Sequence, residues 1–206
     1  MKRILIGLAL ALATLLVFAL LTSEMLEGET LHFDGNVREW VHAHSSGGLT
    51  SVMRAISFAG SPGVLGPAAI LLFFLLRHLK WRREGNLLVV VMLGALLLEQ
   101  VLKLIFHRAR PESFFGLPAP RSYSYPSGHA LFAVCFFGSL AWILAAHSTS
   151  RTSRAILWMA AILIEALIGY SRIYLGVHYP TDVIAGYASA VVWLTFLGTG
   201  DQWRAR

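Results

Sequence analysis

"PSGHALFAVCFFGSLAWILAA", residues 126–146, sets a short polar entrance directly before an apolar run. From Ala130 to Ala146 the run carries no charge, and as a helix it is long enough for a hydrocarbon core about 30 Å thick. Similar runs lie at about 4–22, 56–76, 87–107, 155–173 and 182–198, so with 129–146 six candidate spans are expected. Composition points the same way. Of 206 residues, 56% are hydrophobic and only 14% charged, outside the balance of a water-soluble domain. Lys2 and Arg3 precede the first run as they would in a signal peptide. Its apolar core is long for that, however, and no small-x-small cleavage site follows before Glu24, so a retained span is expected. No repeat, low-complexity segment or long linker divides the chain, which reads as one membrane-embedded domain over 1–206.

The charges orient the spans. Lys2, Arg3, Arg77, Lys80, Arg82, Arg83, Arg151, Arg154, Arg204 and Arg206 fall on one side if the spans alternate, and the positive-inside rule makes that side cytoplasmic. Both termini are then cytoplasmic in a multi-pass protein of the cell membrane. The net charge of +6 is thereby accounted for without nucleic acid. The outer segment at about 23–55 is acidic, with Glu24, Glu27, Glu29, Asp34 and Glu39, and its irregular helical spacing predicts a helix lying along the membrane surface. Trp81, Trp142, Trp158 and Trp203 mark the inner face. Tyr123, Tyr125, Tyr170, Tyr174 and Tyr179 mark the outer one. Cys135 is the single cysteine, so no intramolecular disulfide forms.

Ionisable residues at span ends are costly and therefore informative. In "LEQVLKLIFHRARP" (98–111), Glu99, Lys103, His107 and Arg110 share one stripe if the helix continues to Pro111. The stripe would carry Lys103 and Arg110 to one outward point. In "EALIGYSRIYLGVHYPTDVIAG" (165–186), Arg172 closes a span, His178 follows on a short connection, and Asp182 falls in the first turn after Pro180. There its carboxylate can fix the imidazole tautomer.

By alternation, the ends of spans three and five and the starts of four and six share the outer side. Lys103, Arg110, Ser127, Gly128, His129, Arg172, His178 and Asp182 can thus meet. Three cations at a helix N-terminus make a cradle for a tetrahedral anion, phosphate above all. Ser127 is expected to cap that helix, and Gly128 to let the backbone approach the guest. Two histidines then suffice for phosphoryl transfer. His178, braced by Asp182, suits the nucleophile, and His129 the acid that protonates the leaving oxygen. The cations take the role that magnesium has elsewhere. No cluster with metal-ligand spacing occurs, so neither metal nor other cofactor is expected.

Lys103-x6-Arg110-Pro111, then Pro126-Ser127-Gly128-His129, then Ser171-Arg172-x5-His178-x3-Asp182 resemble the three signature motifs of the type-2 phosphatidic acid phosphatase family, whose superfamily includes the vanadium haloperoxidases. The strict match covers 103–182. This resemblance implies an all-α polytopic fold with six transmembrane helices and an active site at the outer face. It also implies a phosphohistidine on His178, leaving-group protonation by His129, orientation of His178 by Asp182, and phosphate contacts from Lys103, Arg110, Ser127, Gly128 and Arg172. Glu99 and Ser171 would stand behind them. The substrate implied is a lipid phosphate or diphosphate: phosphatidylglycerophosphate, phosphatidic acid or undecaprenyl diphosphate. The bilayer is the only other partner expected, with no obligate protein partner.

A phosphotransferase using the same phosphohistidine, and a transporter or lipid-binding protein that only recognises anions, are the competing readings. His32, His42, His44, His78, His107 and His147 read as surface or interfacial residues. Glu165 reads either as support for Arg172 or as a buried polar contact between helices. Arg108 and Arg121 read either as binders of a second phosphate or head group, or as solvated loop charges.

Overall fold

The computed structural model describes residues 2–118 and 122–204, with side chains described over 7–118 and 122–198. Arg121 and Arg206 lie outside the described residues, and the side chains of Lys2, Arg3, Trp203 and Arg204 outside the described side chains. The described regular structure is entirely helical: α1 (Lys2–Glu27), α2 (Thr30–Ala43), α3 (Gly47–Ala59), α4 (Pro62–His78), α5 (Arg82–Phe106), α6 (Gly128–Ala146), α7 (Arg151–Tyr174) and α8 (Pro180–Arg204). Among the described residues, segments of α1, α5, α6, α7 and α8 are each long and apolar enough to cross a membrane. A sixth span results if α3 and α4, bent by 47° at their junction, are taken together. The all-α polytopic expectation holds.

Where the second span begins differs from the expected 56–76. Gly60 closes α3, Ser61 is extended, and Pro62 opens α4, so Gly-Ser-Pro breaks an otherwise continuous apolar run. With 17 residues, α4 spans only about 25 Å at 1.5 Å per residue, short of the hydrocarbon thickness. The expected single surface helix over 23–55 is likewise divided. α1 runs on to Glu27, Gly28 turns the chain at φ +82°, and α2 and α3 then cover one end of the bundle.

The spans sort their faces as lipid demands. Along α5, Leu88, Met92, Ala95, Glu99 and Lys103 turn inward, while Leu93, Leu97 and Leu104 are exposed. α6 is the most enclosed span. Its Leu131, Phe132, Val134, Cys135 and Ile143 form the core with Leu65 and Leu76 of α4, Leu88 and Val91 of α5 and Ala190 of α8. One wider, π-helical turn at Val134–Gly138 lies within it, and Gly138 there approaches Leu194 and Glu165.

Two features position the site. α5 ends at Phe106 because His107 adopts a left-handed cap (φ 48°) and the residue before Pro111 is disfavoured in helix. The expected stripe through Arg110 therefore does not form: Glu99 and Lys103 ride on α5, and Arg110 arrives on the loop that follows. Secondly, α8 lies against the start of α6. A Cβ on Gly186 would stand 2.6 Å from the Ser127 carbonyl oxygen and 3.0 Å from Ala130 Cβ. The Ser127 N–H donates to the Asp182 carbonyl at 2.9 Å.

Backbone faces Gly186, so the clash cannot relax through a rotamer. Gly186→Ala is expected to cost about 1–3 kcal/mol as an overpacked contact. Gly66→Ala, with nothing within 4 Å of the new methyl, should be neutral or stabilise by about 0.5–1 kcal/mol. Thermal unfolding of both variants in detergent checks the contrast.

Candidate active site

His178 sits on the five-residue connection between α7 and α8 and is 1% exposed. Its Nδ1 lies 3.3 Å from Oδ2 of Asp182, four residues on and fully buried. Oδ2 also accepts the Tyr179 N–H at 2.9 Å and the Ser124 hydroxyl at 2.5 Å. A carboxylate can only accept, so the imidazole proton is assigned to Nδ1 and the lone pair to Nε2. Arg110 Nη1 donates to that Nε2 at 3.0 Å. Burial pushes the His178 pKa down to about 4. Asp182 opposes that shift, and Arg110 and Arg172 reinforce it.

The cations approach from three elements. Lys103 Nζ, on α5, donates to Glu99 Oε1 at 2.6 Å and to Ser122 Oγ at 3.4 Å. Arg110 also donates to the Ser122 carbonyl (2.7 Å) and the Val177 carbonyl (2.8 Å), which fixes its fork; burial lowers its pKa. Arg172, at the end of α7, donates from Nη1 to Ser57 Oγ of α3. Among the described residues, only three buried side-chain polar atoms have no protein partner: Arg38 Nε, Arg172 Nε and Ser127 Oγ. Two of these belong to the residues expected to hold phosphate. Since an unpaired buried polar atom costs about 1–3 kcal/mol, their placement fits a ligand's oxygens.

The entrance to α6 is built differently from expectation. Ser127 occupies the N-cap position, yet its hydroxyl caps nothing and stays free. At Gly128 a Cβ would fall 2.3 Å from Glu99 Oε1, so the glycine admits the carboxylate that pairs with Lys103. His129 is half-buried and, among the described residues, makes no hydrogen bond. Arg172, His178, Lys103 and Arg110 are the charged and titratable groups around it. Ser171 turns its hydroxyl back to the Ile168 carbonyl of its own helix (2.6 Å) and makes no hydrogen bond to the site. His107 packs edge-on to Tyr123 outside it. Glu165 lies beside Gly138, deeper along α7.

Arg108 is the residue that sequence reasoning left most open, and it is no solvated loop charge. It is buried, stacked 4.1 Å over the Tyr179 ring, and forked between two carboxylates. Nη1 donates to Asp182 Oδ1 at 2.6 Å and to Thr181 Oγ1 at 2.8 Å, and Nη2 donates to Asp34 Oδ2 at 2.7 Å. Burial pulls its pKa down, but Asp182 and Asp34 more than offset that and raise it. Both of its terminal nitrogens are engaged by protein oxygens, so neither is free for a second phosphate. Asp34, Ser57 and Ser124 were also missed. Asp34 and Ser57 come from α2 and α3, far away in sequence and outside any local pattern; Ser124 stands three residues before Ser127 but matches no motif.

A sequence profile described as the PAP2 superfamily matches residues 84–205. Over 191 residues the chain is 32% identical to the undecaprenyl-diphosphatase of Sulfolobus acidocaldarius, covering 89% of this chain and 86% of that protein. It is 33% identical to phosphatidylglycerophosphatase B of Bacillus subtilis over 153 residues, covering 74% of each. Among solved structures, the transmembrane PAP2-type phosphatidylglycerolphosphate phosphatase of Bacillus subtilis superposes with a TM-score of 0.85 at 26% identity, over 93% of this chain and 96% of that one. LpxE of Aquifex aeolicus follows at 0.58 and 27%, over 79% and 93%. The profile match, the sequence identities and the superposition agree, and the chain belongs to the PAP2 superfamily.

Proposed function

We propose that this protein is a membrane lipid phosphatase that works through a phosphohistidine on His178. The observation that carries the reading is the two-sided hold on His178: Asp182 on Nδ1, and Arg110 on the lone pair of Nε2 with Arg172 acting on the ring from nearby. Nε2 attacks phosphorus, and Arg110 moves its donors from that nitrogen to the phosphoryl oxygens. The bond from phosphorus to the leaving oxygen breaks as His129, which takes up a proton once the bound phosphate offsets the cations around it, delivers that proton to the leaving oxygen. Arg172 Nε, Lys103 and the Ser127 hydroxyl stabilise the charge spread over the transferring group. In the second half a water gives its proton to the now neutral His129 and attacks phosphorus. The P–N bond breaks, releasing inorganic phosphate and neutral His178.

Relatives named for undecaprenyl diphosphate, phosphatidylglycerophosphate and lipid A phosphate support a phosphorylated lipid as substrate. With its basic inner loops, the chain would hold the site on the outer side of the cell membrane with both termini cytoplasmic. In this reading Lys103, Arg110 and Arg172 are the charge stabilisers, and the reaction needs no metal ion.

Release of phosphate from a short-chain lipid phosphate in detergent should persist in EDTA. It should fall by about 10²–10⁴ in His129→Ala, the usual value of a positioned acid. His178→Ala should abolish both turnover and an acid-labile phosphoenzyme trapped in the wild type. Turnover surviving in His178→Ala would sink the mechanism. Adding lipid or sugar alcohols tests the phosphotransferase, which would divert the group to a phosphorylated acceptor. Rates on the three lipid classes then rank the substrates.

A pH dependence follows as well. His178 must be neutral to attack, so activity is present above its pKa and is lost as pH falls through about 4. After correction for the substrate's own second ionisation near about 6, the acid limb of kcat/KM should sit close to that value. A limb at the ordinary histidine value would contradict the buried, cation-flanked setting.

A further inference from the structure

The PAP2 profile begins at residue 84, yet a carboxylate from α2 reaches the catalytic carboxylate through one guanidinium. Asp34 is fully buried, on a helix that also exposes Leu31, Phe33 and Trp40. Its Oδ1 accepts the Thr181 N–H at 3.0 Å, and its Oδ2 accepts the Thr181 hydroxyl and Arg108 Nη2, both at 2.7 Å. Arg108 passes the connection to Asp182 Oδ1 at 2.6 Å. One cation is thus shared by two carboxylates, and the hydrogen-bonded trio carries a net charge of −1; Arg38 acts on both carboxylates only through space, its guanidinium donating to the Glu112 and Gly176 carbonyls instead.

That sum matters for the ring beside it. Paired with Arg108 alone, Asp182 would belong to a neutral couple, its charge taken up by the guanidinium. Asp34 draws on the other fork, so the group next to His178 keeps a full negative charge in a place where low dielectric makes it count. When Nε2 bonds to phosphorus, Nδ1 retains its hydrogen and the imidazole ring becomes cationic. Arg110, Arg172 and Lys103 oppose that charge from the phosphate side; the net −1 on the Asp182 side favours it. Asp34 touches neither substrate nor nucleophile and has no reason to alter substrate binding.

Resting on the phosphohistidine reading above, we propose that Asp34 is a positioning residue for the phosphoryl transfer: it anchors Arg108 and leaves Asp182 its charge, so that His178 can become cationic as it takes the phosphoryl group. The second effect of Asp34, capping the first turn of α8 through the Thr181 N–H, is structural and separable by experiment; the Thr181 hydroxyl also accepts from Arg108 Nη1, a neutral contact that carries none of the charge at issue.

The test compares Asp34→Asn, Asp34→Glu, Thr181→Val and Arg108→Lys, with kcat, KM and inhibition by inorganic phosphate measured on a short-chain lipid phosphate, and unfolding midpoints in the same detergent. Asp34→Asn should lower kcat by about tenfold or more, the scale lost when partners behind a directly acting histidine are removed, with KM and phosphate inhibition within about twofold of wild type. Asp34→Glu, which restores the charge, should recover most of that rate. Thr181→Val, which keeps every charge and the backbone N–H, should lower the unfolding midpoint without a comparable loss of kcat. Arg108→Lys replaces the fork by a point charge that cannot hold both carboxylates, and it should reproduce the kcat loss even if Asp34→Asn folds too poorly to assay. Wild-type kcat in Asp34→Asn or Arg108→Lys overturns the proposal. So does a loss that appears in KM, that Asp34→Glu fails to recover, or that Thr181→Val reproduces. A His178→Ala variant without turnover, beside a fully active Asp34→Asn, would leave the phosphatase mechanism standing and remove only the role of Asp34.

Discussion

A carboxylate with no exposure to water has to be held by donors, and Asp182 collects them from separate parts of the chain. Arg108 and Ser124 come from the loop after α5, and His178 and the Tyr179 N–H from the connection before α8. The same residue's carbonyl receives the Ser127 N–H and so fixes the entrance of α6. Losing one partner would leave a buried charge uncompensated, a loss of several kcal/mol rather than the fraction expected at a surface. The loops at this end of the bundle are therefore ordered around one side chain. Its location in the first turn of α8 is set by Pro180 and by the close approach that Gly186 allows.

Around that centre the charges are left unequal on purpose of chemistry, in the sense that pairing is complete on one side and open on the other. Both terminal nitrogens of Arg108 are engaged and Lys103 has Glu99, while Arg172 Nε and Ser127 Oγ have no protein partner. An open side rich in donors and a closed side rich in acceptors give His178 a direction. Its protonated nitrogen faces the carboxylate, and its lone pair faces the place where an anion would be held. Orienting both nitrogens at once is what distinguishes this arrangement from a pocket that merely attracts anions.

Much of this was readable in advance, for physical reasons that also explain the failures. The last four spans were located to within a few residues because an uninterrupted apolar run is a local property, and the motif residues cluster because span alternation brings their ends together. The stripe through Glu99, Lys103, His107 and Arg110 was a helical extrapolation, and it failed where His107 turned left-handed ahead of Pro111. The break at Gly60-Ser61-Pro62 was visible in the letters but was outweighed by the hydropathy around it. Ser127 has the identity of a cap and the position of one, yet nothing local says that its hydroxyl is free. Arg108 and Asp34 are 74 positions apart in the chain, and a lone acid in an acidic surface segment gives no sign of a buried partner.

Burial is what links the fold to the chemistry. It holds the His178 pKa down to about 4, so the ring is neutral and the lone pair available above that pH. The same burial would penalise the cationic ring that the proposed bond from Nε2 to phosphorus would create. A site dry enough to secure the first condition must therefore supply a compensating negative charge for the second, and a carboxylate neutralised by its own arginine would not do so. The two-carboxylate, one-arginine arrangement meets both conditions at once. It draws its second acid from outside the motif-bearing helices, which ties α2 to the candidate site through Arg108 and Thr181.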